Sequence, residues 1–142
     1  MTAACREACC SVTPRMSVGE LFQRGLRRNR AAPLATRGAP CIDAEGNVAQ
    51  FSLDLAGSRI AAVGFRATTC ATLVAYCELI AETVPGFELE IARAFSARDL
   101  IDALDGVPEF KRGRAALAIA AFRAALDAAS ANRTNRTAGD PA

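Results

Sequence analysis

The sequence predicts an α+β domain in which a small antiparallel three-stranded sheet carries helices on one face. Two observations predict it. Apolar and polar residues alternate over 48–55, and after a turn at Gly57-Ser58 the apolar segment 60–66 returns as the partner strand, which marks a β-hairpin. On both sides of the hairpin the apolar spacing changes to three and four, the helical period. A hairpin followed by several helices is the order of an antiparallel sheet covered on one face.

Length and composition bound the reading. The chain has 142 residues, 51% hydrophobic and 23% charged, which fits a single globular domain with a modest core. A formal charge of +2 gives no field strong enough to make nucleic acid or an anionic membrane the expected partner. The start, Met1-Thr2-Ala3-Ala4-Cys5-Arg6-Glu7, has no apolar run, so no secretory signal is read. A reducing, cytoplasmic compartment is expected. The apolar stretch 115–129 includes Arg123 and Asp127 and is too short and too charged to span a bilayer.

Residues 1–15 read as a flexible leader containing Cys5, Cys9 and Cys10 and closed by Pro14. The folded domain is expected over 16–130. Val18, Leu21, Phe22 and Leu26 have helical spacing, with Ser17 as the cap and Glu20 three residues later. Arg24, Arg27, Arg28, Arg30 and Arg37 read as a solvated basic face, and Pro33 and Pro40 keep the connection extended. Residues 39–43 supply a third short strand or an extended loop ahead of the turn Glu45-Gly46-Asn47. From Cys70 the positions Leu73, Val74, Cys77, Ile80, Ala81 and Val84 form a helix face that Pro85-Gly86 ends. The type of element over 89–94 stays open. Ser96 and Asp99 form a capping box for a helix through Leu104, stopped by Gly106. A last Ala-rich helix is expected over 112–129, with a polar, disordered tail over 131–142.

Six cysteines and no histidine narrow the chemistry. Without histidine, Cys-His and Ser-His-Asp nucleophiles are excluded. Cys41 and Asp43 stand two apart in an extended segment and can face the same side. Cys70 falls at a helix start, where free N–H groups and the helix dipole favour the thiolate, and Thr68 or Thr69 can cap that helix. These three residues suit zinc or one edge of an iron-sulfur cluster with a position left open. Cysteines this far apart in sequence also suit a plain core role. Cys77 cannot join Cys70, because seven helical residues rise about 10 Å while each sulfur must lie about 2.3 Å from the metal. It reads as core. The leader cysteines read as free thiols, or as thiols able to fold over the open position.

The chain resembles the iron-sulfur scaffold family of the IscU and NifU amino-terminal domain type over 18–126. Leu21-Phe22-Gln23-Arg24-Gly25-Leu26-Arg27-Arg28-Asn29-Arg30 is similar to the family's opening helix and turn. Cys41-Ile42-Asp43 resembles its Cys-Gly-Asp, with Ile42 in place of glycine, and Thr69-Cys70 resembles its Gly-Cys. Val107-Pro108-Glu109-Phe110-Lys111 is similar to the Leu-Pro-Pro-Val-Lys segment that chaperones grip. Arg112-Gly113-Arg114 stands where the family has His-Cys, so Arg114 falls at the third-ligand position. The resemblance implies iron or an iron-sulfur cluster, with zinc possible, at Cys41, Asp43 and Cys70. It also implies a cysteine desulfurase as partner and a chaperone at Val107, Pro108 and Lys111. It implies no independent catalysis. Arg114 cannot ligate a metal and keeps its charge, which leaves a second reading open. In that reading the chain is a pseudo-scaffold that binds the same partners without a cluster.

Overall fold

The structure, a computed structural model, describes residues 15–139, with side-chain surroundings to Arg133. In chain order it contains β1 (Met16–Ser17), α1 (Val18–Arg30), β2 (Thr36–Arg37), β3 (Cys41–Ile42), β4 (Val48–Ala56) and β5 (Arg59–Ala67). These are followed by α2 (Ala71–Thr83), α3 (Leu89–Arg93), α4 (Ala97–Ala103), β6 (Leu104–Asp105), a 3₁₀ turn (Glu109–Lys111) and α5 (Arg114–Gly139). The leader's Cys5, Cys9 and Cys10 lie outside the described residues.

The α+β class holds, and β4 is the middle of its antiparallel sheet. β5 pairs along one edge through a turn in which Gly57 takes φ +65°, a region open to glycine. The opposite edge carries two pieces. Thr36 pairs with Leu53 in β2, and Cys41 pairs with Ala49 in β3. Four strands therefore occupy three positions, because the expected third strand is divided. Gly38 still donates to the Phe51 carbonyl at 2.9 Å, and then the register slips by one residue before Cys41. Pro40, with no N–H to offer, stands at the slip. Gly38 is also required where it is, since a Cβ there would lie 2.6 Å from Ala125 Cα on α5.

Ala49, Phe51 and Leu53 of β4 and Ile60, Val63 and Phe65 of β5 are buried. Ile60 and Val63 are three apart, and a bulge at Asp54/Leu55 absorbs the odd spacing. Phe51 meets Phe65 at 5.8 Å and lies T-shaped to Phe122 from α5 at 5.6 Å. A strap over 31–35 tends the other face, where Leu34 N–H donates to Ser52 Oγ at 2.9 Å and Ala35 N–H to Asp54 Oδ1 at 3.2 Å.

Several elements depart from the expected boundaries or environments. Helix α2 is buried all round from Thr72 to Ala81 rather than along one face, because α1, α5 and the sheet enclose it. Cys77 is fully buried there, and desolvation pushes its thiol pKa far up. Two of the five arginines form ion pairs, Arg28 partly buried and Arg24 still exposed on the expected solvated face. Arg28 binds both carboxylate oxygens of buried Glu78 at 2.8 and 3.3 Å, and Arg24 grips Glu82 at 2.8 and 2.9 Å. The open segment 89–94 contains a short helix. Ser17 and Ser96 cap their helices as expected, the latter in a complete capping box with Asp99. Leu104 and Asp105 leave α4 to pair in parallel with Met16 and Ser17, and Arg15 pins that corner by pairing with Asp105 at 3.0 Å. Helix α5 begins at Arg114 and continues to Gly139, ten residues beyond the expected 129, because an established helix propagates through residues that carry no apolar stripe. None of the described helices is long and apolar enough to cross a membrane.

Candidate functional site

Cys41 sits half-buried on the divided edge strand, and across the sheet the order is Cys41, Ala49, Ala67. With strands about 4.8 Å apart, Cys41 and the end of β5 are about 10 Å apart at the backbone. The chain then turns through Thr68-Thr69 to Cys70, and both cysteines pack against the rim of the core. Asn29 of α1 holds the end of β5 by donating to the Ala67 carbonyl at 3.1 Å and accepting its N–H at 2.8 Å.

Asp43 does not continue the strand. The strand ends at Ile42, so the alternation that would put Asp43 on the side of Cys41 stops one residue short. Its Oδ1 accepts the N–H groups of Glu45 and Asn47, both at 2.9 Å, and its Oδ2 accepts from the Asn47 amide at 3.0 Å. The Asn47 side chain, the two backbone N–H groups and the nearby Arg114 charge hold the carboxyl below its ordinary pKa against slight desolvation. A carboxylate has about four acceptor positions, so three are engaged and one stays open.

Cys70 is itself the N-cap of α2, with extended φ,ψ of −117° and 124°. Neither threonine caps the helix; Thr68 Oγ1 instead accepts the Val48 N–H at 2.8 Å, closing the sheet. The sulfur makes no close capping hydrogen bond, yet its pKa lies below the ordinary thiol value. Burial opposes the thiolate, and the Leu73 N–H, the Arg114 guanidinium, the Thr72 N–H and the Lys111 charge outweigh it.

Arg114 opens α5 and enters this site. Its Nη1 lies 2.5 Å from Glu45 Oε1, its side chain is only 11% exposed, and its Nε is buried without a partner. The thiol of Cys70 and the carboxylate of Glu45 overcome desolvation and raise its pKa, so it stays charged. Asp43 feels the same charge but is occupied by its own turn. The partner is Glu45, which sequence reasoning had placed only in a turn. Among the described residues no three Cys, Asp or Glu side chains cluster closely enough to hold a metal ion as they stand.

The segment after Gly106 leads into α5 and brings the Lys111 charge to bear on Cys70. Val107 packs partly on the core, Pro108 opens the 3₁₀ turn, and Lys111 lies 5.8 Å from the ring centre of Phe110. Phe110 is 80% exposed and Ile42 is 69% exposed. The second was read only as a replaced glycine, and the first was not singled out.

The family model for the NifU-like N-terminal domain matches residues 23–136. The chain belongs to that family. NifU-like N-terminal domains form a family of iron-sulfur cluster assembly scaffolds, so the present domain shares that lineage and its α+β fold. No curated protein sequence matches the chain. Among solved structures, the crystal structure of a hypothetical protein at 2.3 Å resolution is similar, with 15% identity and a TM-score of 0.41, over 73% of this chain and 83% of that one.

Proposed function

We propose that this NifU-like domain is a non-enzymatic, cytoplasmic accessory of iron-sulfur cluster assembly that takes iron, or a labile cluster, as cargo at Cys41 and Cys70. The observation that supports this reading best is Cys70, a half-buried thiol at the start of α2 whose pKa is lowered by the Leu73 and Thr72 N–H groups, Arg114 and Lys111. Thiolate is the ligating form of cysteine. Asp43 has one acceptor position left and is the candidate oxygen ligand, and a partner or small thiol completes the coordination. Zinc suits the same donors. Val107, Pro108 and Lys111, beside exposed Phe110, are the candidate contact for a chaperone, and a cysteine desulfurase is the candidate sulfur source.

One observation favours a second reading. Arg114, aligned with the family's third ligand, is anchored to Glu45 and lies against Cys70, so a fixed cation stands where a cargo cation would be bound. A pseudo-scaffold that engages the same partners without cargo follows from that arrangement.

Anaerobic reconstitution with iron and sulfide, followed by metal analysis and visible absorption, tests the choice. Cargo at the proposed site predicts metal or a cluster that Cys41→Ser and Cys70→Ser each abolish and Cys77→Ser leaves intact. No bound iron in the folded protein selects the pseudo-scaffold.

A further inference from the structure

Behind the 3₁₀ turn lies a cleft of about 390 Å³ whose lining includes none of Cys41, Asp43, Cys70 and Arg114, though Val107 of the candidate chaperone segment is among its lining residues. Its walls carry Arg15, Tyr76, Arg98, Asp102, Asp105 and Arg112. Tyr76 is fully buried in α2, and its hydroxyl has no hydrogen-bond partner. A buried phenol without an acceptor is an unusual and costly arrangement, and it calls for a group that the protein itself does not supply.

The charges around it say which group. Arg15 is paired with Asp105 at 3.0 Å and also donates to the Leu104 carbonyl at 2.8 Å. Arg98 is matched by Asp102 at 3.6 Å, one helical turn along α4. Arg112 has neither an ion pair nor a side-chain hydrogen bond among the described residues. Its charge, with that of Arg15, acts on the Tyr76 hydroxyl and partly offsets the rise in phenol pKa that burial causes. One free guanidinium and one free hydroxyl are both donors, and together they match the two oxygens of a single carboxylate. The flanking aspartates repel a second negative charge, which disfavours a phosphate. The volume falls within the range of small-molecule sites.

We infer that this cleft binds a small monocarboxylate through Arg112 and the Tyr76 hydroxyl. Tyr76 is the only tyrosine and the chain has no tryptophan, so its emission reports on the cleft alone. Titration of the full chain with sodium acetate at constant ionic strength should give a saturable change in Tyr76 fluorescence with a Kd of about 1 mM or tighter. Inorganic phosphate at the same ionic strength should bind at least about tenfold more weakly. Arg112→Gln, checked for folding by circular dichroism, should weaken acetate at least tenfold. Tyr76→Phe should do the same when binding is followed by line broadening of carbon-13-labelled acetate. Absence of saturable binding in the unaltered protein overturns the inference and leaves the hydroxyl to a water molecule. Equal binding of phosphate and acetate, or undiminished binding by folded Arg112→Gln, also overturns it.

Discussion

Arg114 and Glu45, 69 residues apart in sequence, meet at 2.5 Å beside the Cys70 thiol. The contact ties the N-terminus of α5 to the β3–β4 turn and puts a permanent charge among the candidate ligands. Glu45 is 66% exposed, so the pair adds little to stability, about 1 kcal/mol or less. Its importance is electrostatic. Arg114→Cys should therefore leave the melting temperature nearly unchanged and raise cluster retention, because a thiol replaces a cation at a helix start. Cluster content and thermal melts of the two proteins check this together. An unchanged cluster content would mean that Arg114 does not control cargo.

Cys70, the N-cap of α2, and Cys77, inside that helix, should differ in reactivity. Cys70 has a lowered pKa and is half-buried, whereas Cys77 is fully buried with a strongly raised pKa. Iodoacetamide at neutral pH, with the sites resolved by peptide mass mapping, should label Cys70 and spare Cys77 in the folded protein. Arg114→Gln removes one of the influences that favour the Cys70 thiolate and should slow its labelling at neutral pH. An equal rate in that variant would leave the helix N–H groups and Lys111 as sufficient.

The parts legible in the sequence were those governed by local rules. Alternation and a glycine turn were enough for β4 and β5, and Ser96 with Asp99 was enough for α4, because strand period and helix capping act over a few residues. Cys77 was legible as core for the same reason, since its phase on α2 follows Leu73 and Ile80. Two-residue strands such as β2 and β3 have no period to read, so the division of the edge strand stayed hidden. The pairing of Arg28 with Glu78 and of Arg114 with Glu45 depends on tertiary approach, which no spacing records. Asp43 was misread through a local rule applied one residue beyond its range: strand alternation holds through Ile42, and the Asx-type turn starts next.

Gly38 offers a test of the divided strand. Its position against the backbone of Ala124 and Ala125 leaves no room for a side chain. Gly38→Ala should destabilise the protein by about 1–3 kcal/mol through overpacking. Urea unfolding followed by circular dichroism would measure the loss. A neutral result would mean that α5 can move off β2 and β3 without penalty.

Tyr76→Phe removes a buried hydroxyl that has no partner in the protein. Without added ligand, stability should be unchanged or higher by up to about 1 kcal/mol, since no hydrogen bond is lost and a desolvated polar group disappears. Urea unfolding in a buffer free of carboxylates measures it. A loss of more than about 1 kcal/mol would reveal an ordered water already bound to the hydroxyl.

Glu78 gives the protein a pH dependence of predictable sign. Burial pushes its carboxyl pKa up to about 7 despite the Arg28 hydrogen bond, and its neighbour Glu82, held by Arg24, is shifted the opposite way. A carboxyl whose folded pKa exceeds its unfolded value of about 4.3 binds its proton more tightly when folded. The stability it contributes is fully present below about pH 4, and is lost as pH rises through about 7. Glu82 works in reverse: its contribution is present above its unfolded pKa and falls away as acid protonates it in the folded state. Between pH 5 and 7, where Glu82 is ionised in both states, the slope belongs to Glu78, and the full effect is on the order of 3 kcal/mol. Glu78→Gln keeps an oxygen for Arg28 but has no proton to lose, so its melting temperature should vary less across this interval than that of the unaltered protein. Thermal melts at half-unit pH steps, in buffers free of carboxylates, give the two curves. Parallel curves would show that Arg28 keeps Glu78 ionised throughout, and that burial does not govern its charge.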